Sequence, residues 1–126
     1  MMNITVTELE DSLVKFISPL GNGAAVWVGD KPHIGYSYNA ELDIDDYFEW
    51  GVDIVATSDK KSSISVDDNH LKLVAKLISY ENDGVLTISL GGSIIFLEAT
   101  RIPDMESDYV LFFTSQDKIS LYPIEL

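Results

Sequence analysis

Between Lys31 and Lys60 there is no Lys or Arg, yet seven carboxylates fall in that stretch: Glu41, Asp43, Asp45, Asp46, Glu49, Asp53 and Asp59. Carboxylates so spaced could do three kinds of chemistry. As a catalytic pair, Glu41 and Asp43 on one strand face would stand ~7 Å apart, within the span that inverting glycosidases use. As hard oxygen ligands, Asp43, Asp45, Asp46 and Glu49 would suit calcium. As an exposed surface, the same charges would draw in a basic protein and set its association rate, since one exposed ion pair adds only ~0–1 kcal/mol.

The first two are poorly supported by the spacing. Carboxylate pairs at i, i+2 occur on ordinary strands, and counting from Asp43 puts Phe48 at the sixth position and Ile54 at the twelfth, where a calcium loop needs Gly and Glu. His33 and His70 lack the i, i+4 spacing of a metal pair, and Ser18, Ser37 and Ser93 lack the Gly-x-Ser-x-Gly elbow. Gly21-Asn22-Gly23 opens no phosphate-binding helix. The chain is therefore expected to be no enzyme and to need no metal or cofactor. The plainest account of the acidic run is solubility and the blunting of sheet association. Against it, like charges facing each other across strands cost about 0.2–1 kcal/mol per pair, so the cluster is not arranged for stability.

The whole chain repeats the bias. Twenty-one acids against eight bases give a net charge of −13 over 126 residues. Nucleic acid and anionic membranes are bound by neutralising phosphates with Lys and Arg, so this surface should repel both and favour a basic protein. The absence of Cys removes disulfides and thiolate chemistry. With no apolar leader or run of ~18 apolar residues, a cytoplasmic protein is expected. A hydrophobic fraction of 46% and a charged fraction of 23% suit one folded domain over residues 1–126.

The elements that must position the carboxylates are strands. From Tyr36 to Ile44 every even residue is apolar and Ser37, Asn39, Glu41 and Asp43 occupy the odd positions, a period of two. A second strand, Trp50 to Thr57, is expected to place Trp50, Val52, Ile54 and Ala56 inward and Asp53 outward. The two would form an antiparallel hairpin with Tyr47 and Phe48 at its tip. There the aromatics could anchor a partner, as aromatic residues do at interface centres. Tyr36, Tyr38, Trp27 and Trp50 are expected in the core.

Asp83-Gly84 and Gly91-Gly92 mark tight hairpin turns around residues 85–90. Tyr109 to Thr114 and Lys118 to Tyr122 flank a turn at 115–117, and 100–108 reads as a long loop. Two segments admit either helix or strand: residues 7–17, with a Thr7-Glu8-Leu9-Glu10 capping box, and residues 68–80. The sum is an all-β domain with room for one short helix: a small antiparallel barrel or sandwich resembling an OB-like meander of about seven to nine strands.

The functional expectation is an acidic interaction protein, foremost a bacterial immunity protein that neutralises a basic, nuclease-type toxin through Glu41, Asp43, Asp45, Asp46, Tyr47, Phe48, Glu49 and Asp53. The alternative is a ligand-binding or self-assembling barrel whose acidity serves solubility.

Overall fold

A computed structural model describes residues 1–104 and 107–124. Their secondary structure is twelve strands: β1 (Met2–Glu10), β2 (Leu13–Ser18), β3 (Gly21–Trp27), β4 (Ser37–Ile44), β5 (Tyr47–Glu49), β6 (Ile54–Thr57), β7 (Ser63–Asp67), β8 (His70–Tyr80), β9 (Val85–Leu90), β10 (Ser93–Thr100), β11 (Tyr109–Ser115) and β12 (Ile119–Pro123). One 3-10 turn, Gln116–Lys118, precedes β12. The all-β expectation holds, and both ambiguous segments are strands.

The physical reasons lie in two β-bulges. In β1 the pairing with β2 slips between Val6 and Glu8. The slip exchanges faces, so that Leu9 packs on the core beyond the buried Met2, Ile4 and Val6, while Glu8 turns outward to pair with Lys15 at 3.4 Å. In β8 the slip falls between Leu77 and Ser79. Leu71, Leu73 and Ala75 are buried before it, and Tyr80 packs on the core after it.

Strands β1-β2-β3-β12-β4 close into a barrel, with β4 returning to β1. Counted within the barrel alone, the order is first, second, third, fifth, fourth, and the third and fifth strands are parallel, an OB-type closure. The remaining strands are inserted between β4 and β12. They form a second sheet in the order β5-β10-β9-β8-β11-β6, with β7 alongside β8. A bridge between Trp50 and Ile54 nearly closes this sheet as well. The arrangement is therefore not the simple meander of seven to nine strands expected above.

The barrel and second sheet share one apolar core, from Ile4 and Phe16 in the barrel to Leu86, Ile88 and Phe112 in the sheet. Where they meet, the Ile64 amide donates to the Leu20 carbonyl at 2.9 Å. Gly21 has φ of +129°, and a Cβ there would come within 2.0 Å of the Ile64 carbonyl oxygen, so no larger residue fits this crossing without moving backbone.

The acidic hairpin does not form. Both edges of β4 are occupied, by β1 and by β12, so no edge remains for residues 50–57. Instead β5 runs parallel to β10, the chain turns at Gly51, and β6 pairs with β11. Val52 and Ala56 are exposed, and only Ile54 of the four expected inward residues is fully buried. Tyr36 is also exposed, ahead of β4, whereas Trp27 is buried with its ring edge-on to Tyr38 at 5.0 Å. Likewise β11 and β12 do not pair with each other, since the first belongs to the second sheet and the other to the barrel.

Two local contacts yield measurable expectations. Ser93 is buried and, among the described residues, its hydroxyl has no partner. Ser93→Ala should therefore raise unfolding free energy by about 1 kcal/mol in a urea titration; a loss would mean that the hydroxyl is satisfied by internal water. The Ser115 hydroxyl donates to Asp117 at 2.5 Å, and this bond holds the Asp117 carboxyl below its ordinary value. Ser115→Ala should raise it, as read by NMR titration. The sign follows from linkage: a lowered folded-state pKa contributes stability above the unfolded carboxylate value, and that contribution is lost as pH falls through the lowered one.

Candidate functional site

The eight residues singled out from the sequence lie along β4, β5 and the turn that follows, and the fold sorts them into three groups. One group is structural. Phe48 is 1% exposed, and its ring meets Phe112 edge-on at 5.4 Å inside the second sheet. It is no partner anchor. Asp46 accepts from the Tyr47 amide at 2.9 Å and from the buried Thr114 hydroxyl at 2.8 Å. Asp53 accepts from the Glu49 amide at 2.6 Å and so fastens the turn between β5 and β6. Both carboxylates tie the closing seam of the second sheet together.

Glu41 forms the second group alone. It points away from the barrel interior, opposite Tyr122, and lies 3.3 Å from the Met1 ammonium.

The third group is free. Asp43 is exposed on the outer face of β4, opposite Ser120. Asp45 is exposed just beyond it, its own amide donating to the Lys118 carbonyl. Tyr47 is 74% exposed and Glu49 is exposed on β5. Among the described residues the only ion pairs are Met1–Glu41 and Lys15–Glu8, so Asp43, Asp45 and Glu49 have no cation partner.

Chemically these side chains offer exposed negative charge that no cation among the described residues neutralises. Asp43 is open to solvent, and Glu41 is half-exposed beside an ammonium. Among the described residues no three His, Asp or Glu side chains come together as a metal site. His33 lies in the loop before β4, its ring tilted against Tyr36 at 5.1 Å, and His70 is exposed at the start of β8. Nor do Tyr36, Tyr38 and Trp50 line one apolar cavity, because Tyr36 is exposed while Tyr38 and Trp50 pack on the core.

The structure adds residues that the hairpin expectation missed. β10 lies beside β5 with Glu98 opposite Tyr47 and Thr100 opposite Glu49, and Ile94 and Phe96 occupy the same outer face of β10. Their signal was present in the run Ile94-Ile95-Phe96-Leu97, which is apolar in both phases of a strand, a pattern that ordinarily marks a strand covered on both faces.

Comparisons with family models, with curated proteins and with solved structures found no match to the chain.

Proposed function

We propose that this protein is an acidic interaction module that occupies a basic protein, and specifically an immunity protein that neutralises a nuclease-type toxin in a bacterial cytoplasm. The observation that carries this reading is the set Asp43, Asp45 and Glu49: exposed, close in the chain and without cation partners. Folding has little use for such a group. A nuclease must present positive charge to bind phosphates, and an acidic surface can cover that charge or a site beside it.

The test is capture of partners by the tagged protein from its own cells at low salt, followed by assay of any recovered basic protein. The reading expects one basic partner, released as salt rises, whose nuclease activity falls as the acidic protein is added. Recovery of the protein alone, or of a partner held equally well at high salt, overturns it.

A further inference from the structure

We infer that the outer face of β10 and β5 is the apolar centre of this interface, and that the partner meets it with a segment carrying apolar side chains between Lys or Arg residues. The inference rests on the acidic-recognition reading and adds what charge alone lacks, a source of affinity.

The strand itself makes the case. In an antiparallel sheet with one face on the core, the other face is ordinarily polar. In β10, Ile95, Leu97 and Ala99 are buried, yet Phe96 is 65% exposed and Ile94 is 52% exposed. The neighbours across the ladder do not cover them: Phe96 stands opposite Thr87 and Ile94 opposite Ser89, both short polar residues of β9. On the other side Tyr47 is opposite Glu98, and so stands one step along the ladder from Phe96 on the same outer face. A solvated Phe leaves most of its apolar surface in water, and a partner that covers it on docking recovers that burial.

Charge selects the occupant. Glu98 and Glu49 border the aromatic pair, and the chain running into β5 carries Asp43 and Asp45. A second copy would bring another net charge of −13 against this border, whereas Lys or Arg beside an apolar ridge complements it. Binding energy concentrates in a few residues near the centre of an interface, inside a ring of contacts that exclude water.

Two synthetic ten-residue peptides of equal charge test the inference, one alternating Lys and Leu, the other alternating Lys and Ser, each titrated into the isotope-labelled protein at low salt. The Lys-Leu peptide should bind at least about 10-fold more tightly, the difference that ~1.4 kcal/mol of added burial supplies. It should shift amide signals of β5, β9 and β10. The double variant I94S/F96S should erase that difference and leave both peptides with the weaker affinity, at an unchanged melting temperature. Equal binding of the two peptides, or a preference that survives the double variant, overturns the apolar centre and leaves the acidic reading standing. Failure of both peptides to bind overturns the two together. Concentration-dependent sedimentation that disappears in the double variant would assign the face to a second copy and likewise overturn the proposed occupant.

Discussion

Phe48→Ala will cost the fold about 3–5 kcal/mol, while Tyr47→Ala, one residue earlier, will change stability by no more than about 0.5 kcal/mol. The contrast follows from strand geometry: successive side chains leave a strand on opposite faces, and β5 is held in register by its parallel pairing with β10. Phe48 is inside, against Phe112, and its removal leaves a void at the seam where the second sheet nearly closes. Nothing can collapse into that void cheaply, because Ile54 and Phe112 belong to strands already paired. Such a loss is a large part of the ~5–15 kcal/mol that holds a domain together. Urea unfolding of both variants decides the matter. The opposite ranking would mean that β5 is shifted by one residue, since a single-residue slip exchanges the two faces.

Neutralising Asp43, Asp45 and Glu49 together, as Asn, Asn and Gln, should slow association with the captured basic protein by about 10-fold or more at low salt. The dissociation rate should change much less. At physiological ionic strength the difference between the variant and the natural chain should shrink, because exposed charges are screened over ~8 Å. Stability should stay the same or rise slightly as like charges are removed. Asp46→Ala and Asp53→Ala should behave oppositely, each costing about 1–2 kcal/mol of stability through lost hydrogen bonds at the seam and leaving association nearly unaltered. Stopped-flow association at two salt concentrations, paired with urea unfolding, separates the sets. An association rate indifferent to the triple change would place the interface elsewhere.

The different fates of these carboxylates show where reading the chain residue by residue stops. All seven stand in one cation-free stretch, and nothing in their spacing distinguishes a carboxylate free in solvent from one that fastens a turn. Asp46 is separated by the Thr114 hydroxyl, 68 residues away in the chain, and Asp53 by a turn that exists only because β6 is diverted to β11. The net charge, the cluster and the lack of nucleophile or metal spacing were legible directly. The division into structural and available acids was not.

What the sequence by itself determined is local. The period of two put Leu42 and Ile44 inward and Asp43 outward on β4, and Asp83-Gly84 and Gly91-Gly92 set the hairpins on either side of β9. These follow from side-chain alternation and turn conformations, which involve residues only a few positions apart. Only the tertiary structure decided which strands became neighbours. β12, from the far end of the chain, fills the edge of β4 that the expected hairpin needed, and this displaces residues 47–57 into a second sheet, buries Phe48 and brings Tyr47 beside Phe96. An edge offers hydrogen bonds to whichever strand reaches it, so its occupant depends on the packing of the whole chain rather than on any local pattern.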